Sequence, residues 1–242
     1  MIERARPKAA HADPFASTFH FLSALDLFRD LVTAEEIEEC DEAIQVMNCK
    51  AGYVFYTPGQ TGEVLFILER GMAQIYRMSP EGRKLVMARL PPMSFFSEMS
   101  CIGHGMHDSF AEAISDSHIC TMRRSDVERL ILSRPRVGLR LLEALGQRMV
   151  ELERRLEEGT FKGLIPRIAT LLLNEARGAE IAGLTHQDIA DRLGIYRETA
   201  TNALNQLKSF GIIEIGRRRI GILDRGRLER TAAERGRRRR PR

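Results

Sequence analysis

The side chains best suited to chemistry lie together between Thr185 and Leu207. Tyr196, Arg197, Glu198, Thr201, Asn202 and Asn205 are spaced to share one face of a helix. Their end groups match the edges of nucleic-acid bases. An arginine can give guanine O6 and N7 two parallel hydrogen bonds, and a glutamate can accept from cytosine N4. Arg197, Glu198, Asn202 and Thr201 are therefore the candidate base-reading residues. Thr185, Tyr196, Arg217 and Arg218 are the candidate partners of backbone phosphate, which fixes register without reading sequence.

The elements that must position these groups follow from the same stretch. Thr185 and Asp188 form a capping box for a first helix, and Ile189, Ala190 and Leu193 give it one apolar face. Ala190 is small enough to let a second helix approach, and Gly194 supplies a turn. The second helix starts near Arg197 and is expected to bury Thr199, Ala200, Ala203, Leu204 and Leu207. Two short helices across a glycine turn make a helix-turn-helix. Phe210-Gly211 ends it, and Ile212–Ile215 with Arg219–Leu223 predict a two-stranded wing with Arg217 and Arg218 at its tip. A plain helical hairpin with a polar face is the other reading. It explains neither the glycine turn nor the basic wing.

Upstream, Pro135 suits the first turn of a long helix in which Leu142, Leu145, Met149, Leu152 and Leu156 recur at steps of three and four. Glu151, Glu153, Arg154, Arg155, Glu157 and Glu158 flank this narrow stripe, the pattern of a seam between two copies of one helix. Gly159 and Gly163 are expected to interrupt it as a hinge. Before it, Tyr53–Tyr56, Val64–Leu68, Met72–Tyr76, Leu85–Leu90 and Phe110–Met122 are short apolar or alternating runs separated by turns such as Thr57-Pro58-Gly59 and Ser79-Pro80-Glu81-Gly82. That spacing predicts an antiparallel double-sheet barrel, an architecture that commonly encloses one small ligand. Phe15 to Met47 reads as short helices.

Composition narrows the classes further. The 242 residues are 43% hydrophobic and 29% charged, as in ordinary globular chains, and no apolar run approaches the roughly 18 residues of a membrane span. Met1 to Pro14 has no apolar core of the signal-peptide kind, so a cytoplasmic protein with no membrane partner is expected. The net charge is only +4, yet arginines crowd the C-terminal end, including Arg237 to Arg240, which points to a polyanionic partner. Cys40, Cys49, Cys101 and Cys120 form no CxxC pair. The expected organisation is a tail over 1–14, a sensor barrel over 15–134, a dimerisation helix over 135–160, a winged helix-turn-helix over 161–228 and a basic tail over 229–242. No Ser/His/Asp set, phosphate loop or metal motif argues for an enzyme.

From about Phe15 to Leu228 the chain resembles the catabolite activator protein/FNR family of bacterial regulators. Thr57-Pro58-Gly59, Leu65–Gly71, Phe95-Phe96-Ser97-Glu98, the seam helix and Arg197-Glu198-Thr199 carry the likeness. The resemblance implies an α+β chain. It would have a cyclic-nucleotide-binding-type antiparallel β-barrel (a double-stranded β-helix), a long dimerisation helix and a C-terminal winged helix-turn-helix. It implies a homodimer on an inverted-repeat operator in double-stranded DNA, RNA polymerase as a further partner, and Arg197, Glu198 and Asn202 as base readers. The cyclic-AMP-responsive members have arginine where Asn202 stands.

The effector is where the chain departs from that pattern. Those members hold the nucleotide with a Gly-Glu pair and, about ten residues on, an Arg-Ser pair. Here Ser97 precedes Glu98, and Asp108-Ser109 falls on the Arg-Ser position, so a carboxylate would face a phosphate and repel it. Leu152 and Glu153 replace the adenine-contacting hydroxyls. Cyclic AMP is therefore not the expected effector. The candidate pocket is Glu98, Ser97, Cys101, Asp108, Ser109 and Leu152, for a small-molecule or gas effector. Iron–sulfur sensing of the FNR type needs an N-terminal cysteine cluster, and Met1 to Asp30 contains no cysteine; Cys120 matches the one internal cysteine, but a single thiolate cannot hold a cluster. A cluster built instead from all four cysteines is a further alternative. Cys101, His104 and His107 are of types that can hold haem iron. A regulatory subunit with the same barrel and a protein-binding helical tail is the competing function.

Overall fold

The computed structural model of the chain describes residues 44–60, 63–97 and 108–234. The expectations placed on the first 43 residues, on Glu98, Cys101, His104 and His107, and on Arg237 to Arg242 lie outside these. The chain divides into two compact units.

Ahead of the helical part of the chain come the strands β1 (Ile44–Cys49), β2 (Val54–Tyr56), β3 (Val64–Arg70), β4 (Ala73–Met78), β5 (Lys84–Leu90), β6 (Ser94–Ser97), β7 (Phe110–Ala113) and β8 (Ser117–Arg123). They form two four-stranded sheets in the orders β1-β8-β3-β6 and β2-β7-β4-β5. β1/β8, β3/β8, β3/β6, β2/β7 and β4/β7 all pair antiparallel. β3 is apolar from Val64 to Leu68, where both its faces are covered, and turns polar at its end, at Glu69 and Arg70. Leu65 and Ile67, with Cys120 and Met122 opposite them on β8, pack on Val127 and Leu130 of α1 (Arg124–Ser133) and Val137 and Leu141 of α2 (Pro135–Phe161). On the other face Phe66 pairs in register with Phe96, and their rings stack at 5.0 Å. Phe55 closes on Phe96 edge-on at 5.2 Å. The β3–β4 turn requires glycine. Gly71 sits at φ +91°, and a Cβ there would fall 2.3 Å from Ser117 Oγ.

Two expectations change here. Ile44–Met47 is strand, because its backbone groups are taken up by the β8 ladder, Ile44 opposite Met122. The run Phe110–Met122 is two strands, β7 and β8, broken at Ile114–Asp116.

The second unit contains Arg77–Met87 and the described residues from Gln147 onward. α2 runs unbroken through Gly159 to Phe161, where an interruption was expected. One glycine costs a helix about 1 kcal/mol, and the last turn is held by Glu158 between Arg154 and Lys162 and by Thr160 Oγ1 donating to the Leu156 carbonyl. Gly163 caps α3 (Leu164–Glu175). Then come β9 (Glu180–Ala182), α4 (His186–Leu193), α5 (Arg197–Ser209), β10 (Ile213–Gly216), β11 (Arg219–Ile222) and α6 (Arg225–Ala233). Ile168, Leu172, Ile189, Ala200, Leu204, Leu207, Ile213 and Ile220 make its core. Leu228 and Ala232 of α6 join that core, so the fold continues past Leu228 to Ala233.

Candidate nucleic-acid interface and effector site

The start of α4 is fixed by its own sequence. Asp188 N–H donates to Thr185 Oγ1 at 3.1 Å, and Thr185 N–H donates to Asp188 Oδ2 at 2.8 Å, which is the expected capping box. The Thr185 hydroxyl also donates to Asp188 Oδ2 at 2.6 Å, so its hydrogen is committed to the cap rather than open to a phosphate. Gly194 ends α4 at φ +64°, a conformation glycine adopts at no steric cost. Arg192 joins Glu175 of α3 at 2.6 Å, and Arg167 donates to the Leu193 carbonyl at 3.0 Å, bracing the motif from behind.

Ala200, Ala203, Leu204 and Leu207 of α5 are buried as expected. Thr199 is exposed, which corrects the expectation: it stands one residue, about 100°, off the stripe that begins at Ala200. Tyr196, Arg197, Glu198, Asn202 and Asn205 are exposed and lie at the head of the helix or along its open side. The guanidinium of Arg83 lies 5.2 Å over the Tyr196 ring. Thr201 differs from its neighbours. It is half-buried, its hydroxyl donates to the Arg197 carbonyl at 2.9 Å, and His186 Nδ1 lies 3.0 Å from its oxygen. Nothing in the spacing of the sequence had given His186 a role.

β10 and β11 pair with Gly216 opposite Arg219, leaving Arg217 and Arg218 exposed at the wing tip. Arg218 sits at φ +57°, and its carbonyl accepts from Gly183 N–H at 2.8 Å. A third strand, β9, pairs with β11 and was not foreseen.

On α2, Val137 and Leu141 are buried while Leu142, Met149 and Leu156 are 66%, 60% and 72% exposed. Leu152 is exposed and Leu145 half-buried. Four of the flanking charges pair with one another within the helix: Arg154 bonds Glu151 and Glu158, and Arg155 bonds Glu151, each at 2.8 Å. The Arg154 hydrogen bond, with Arg155 assisting, holds the Glu151 carboxyl down at about 2.

In the barrel, Ser97 is buried and its hydroxyl donates to the Val64 carbonyl at 3.0 Å. Ser109 is buried and Asp108 exposed. Cys120 lies opposite Val46 and Cys49 opposite Ser117 in one regular ladder, three positions apart, so the two thiols point to opposite faces of the sheet. No single cluster can take both. Burial pushes the Cys49 thiol up to about 11, and burial with nearby Glu69 pushes Cys120 up to about 12. Neither is a thiolate at neutral pH. Among the described residues no group of three His, Cys, Asp or Glu side chains could hold a metal ion. No helix of the described residues is long and apolar enough to cross a membrane.

Residues 46–134 match the cyclic nucleotide-binding domain family, and residues 166–231 match the Crp-like helix-turn-helix domain. The two together define a transcription regulator with a ligand-binding domain and a DNA-binding helix-turn-helix. The chain belongs to the CRP/FNR family. It is 28% identical over 210 residues to the CRP-like cAMP-activated global transcriptional regulator of Mycobacterium tuberculosis, covering 83% of this chain and 94% of the relative. It is 27% identical to the cyclic AMP receptor protein of Thermus thermophilus, covering 81% of this chain and 93% of that one. The crystal structure of a regulator assigned to the crp/fnr family from Eubacterium rectale superposes with a TM-score of 0.73 at 26% identity, over 86% of this chain and 98% of the other. The α+β architecture, with antiparallel barrel and helix-turn-helix, agrees with the sequence reading.

Proposed function

We propose that this chain is a cytoplasmic homodimer that reads an inverted-repeat operator, works with RNA polymerase, and is gated by an effector other than cyclic AMP. In this reading the barrel extends through residue 134, the dimerisation helix covers 135–160, and the winged domain follows from 161. The observation that carries it is the open head of α5, where Arg197 and Glu198 stand exposed behind a capped α4 and a left-handed Gly194. Arg197, Glu198 and Asn202 read base edges; Tyr196, Arg217 and Arg218 face phosphate, and Thr185 serves the α4 cap.

The relatives' names carry cyclic AMP. What comes over from them is an effector in the same domain, not the nucleotide itself. Asp108 offers a carboxylate where a phosphate needs a cation, and Ser97 puts a side chain where the family pattern has glycine. Haem remains a candidate through Cys101, His104 and His107, and an absorption spectrum of the purified protein tests it by the presence of a Soret band. Calorimetry with cyclic AMP is expected to give no heat of binding at micromolar nucleotide. Saturable micromolar binding would contradict the assignment of Asp108.

Arg218→Gly separates phosphate binding from base reading. Glycine accepts the wing-tip conformation, so the fold is retained. Affinity is expected to fall alike for operator and random DNA, and the salt dependence to flatten by about one unit for each phosphate no longer neutralised. Fluorescence anisotropy across a salt series measures both. An unchanged slope with altered sequence preference would contradict the wing's role.

A further inference from the structure

We propose that His186 is a positioning residue for base reading, one that fixes the first turn of α5 through Thr201 and so aims Arg197 and Glu198. The inference rests on the reading of α5 as the DNA-reading helix and adds to it a residue that need not touch DNA.

The two helices of the motif are held at their starts in different ways. α4 has a complete capping box, but the N-cap of α5, Tyr196, makes no side-chain cap hydrogen bond. The turn that carries the reading residues therefore lacks the usual local clamp. What reaches it instead comes from α4. Thr201 Oγ1 donates to the carbonyl of Arg197 itself at 2.9 Å, and His186 Nδ1 lies 3.0 Å from the same oxygen.

Donor counting points to the direction of that second bond. A hydroxyl has one hydrogen, and here it goes to a carbonyl, which can only accept. The hydrogen between His186 and Thr201 must then come from the ring, so a neutral His186 carries its proton on Nδ1. His186 follows directly on Thr185, whose backbone N–H is bound to Asp188 Oδ2 at 2.8 Å. A continuous line of hydrogen bonds and backbone thus runs from the α4 cap through His186 and Thr201 to the Arg197 carbonyl. Both His186 and Thr201 are half-buried, which limits competition from water. With its hydroxyl so engaged, Thr201 supports the reading residues and does not itself read a base.

The test compares operator with random DNA for the full chain and its variants, once the operator has been selected. His186→Ala is expected to lower operator affinity roughly three- to tenfold, the worth of one net hydrogen bond, with random-DNA affinity and salt slope unchanged. His186→Asn, which can present an N–H near the place of Nδ1–H, should restore most of the loss. In a Thr201→Val background, His186→Ala should have little further effect. Nitrogen-15 NMR of the DNA-free protein should show the Nδ1–H tautomer at His186, lost in Thr201→Val. Equal losses on both DNAs with a shallower salt slope would make His186 a phosphate-binding residue and overturn the proposal. A lowered melting temperature with unchanged discrimination would reduce it to a structural residue, which also overturns it. If the unmutated chain has no sequence preference, the DNA reading fails and the positioning role fails with it, even where the tautomer is as described.

Discussion

Glutamate at both Leu145 and Met149 should turn the protein into a monomer. Leu142, Leu145, Met149, Leu152 and Leu156 repeat at the spacing of a two-helix seam, and most of that row stands open to solvent in the single chain. Beside it Glu151, Arg154, Arg155 and Glu158 are already paired with one another within α2, and the row itself is apolar surface, which a second copy of the same helix would cover. The double substitution would place four carboxylates in that interface with no partners. A buried unpaired charge costs about 3–5 kcal/mol, so the dimer should weaken at least about a hundredfold. Met149 is exposed in the monomer, so Met149→Glu alone should leave the melting of the isolated fold nearly unchanged while still weakening the dimer. Light scattering at micromolar concentration reads the outcome. An unmutated protein that is monomeric there would contradict the seam.

Arg197→Ala should produce the largest loss of sequence-specific binding. Arg197 opens α5 with its side chain exposed, and Glu198 stands beside it, so the pair can address adjoining G·C base pairs from the major groove. Removing a bidentate arginine–guanine pairing costs about 1–3 kcal/mol per half-site, hence about 2–6 kcal/mol for a dimer on both. Competition binding should show operator affinity falling roughly thirtyfold or more, with preference relaxed at one base pair in each half-site. A uniform loss with the same base preferences would mean that Arg197 touches backbone and not bases.

How much of this was legible in the sequence depended on how local each signal was. The helix-turn-helix could be read because a cap at Thr185 and Asp188, a glycine at 194 and the stripe Ala200, Ala203, Leu204 and Leu207 lie within one short stretch. Thr199 was assigned to the wrong side, and Thr201, placed among the exposed readers, is half-buried, since a helix turns about 100° per residue and the stripe's edge is sharp. Ile44 and Met47 sit at a helical interval, yet a ladder to β8, far along the chain, makes them strand. β9 has three residues and is defined only by pairing with β11. Gly159 looked like a break but is carried through by ion pairs on either side of it. His186 carried no signal at all: its partner lies on the next helix, and only packing brings them together.

The central claim is that α5 reads DNA sequence on behalf of a dimer. Selection of the full-length protein from a pool of randomised duplexes tests it most directly. The expected result is enrichment of an inverted repeat with half-sites about one helical turn apart, each containing a G·C pair whose enrichment is lost with Arg197→Ala. A pool that remains random after selection, or one enriched for a motif with no two-fold symmetry, would contradict it.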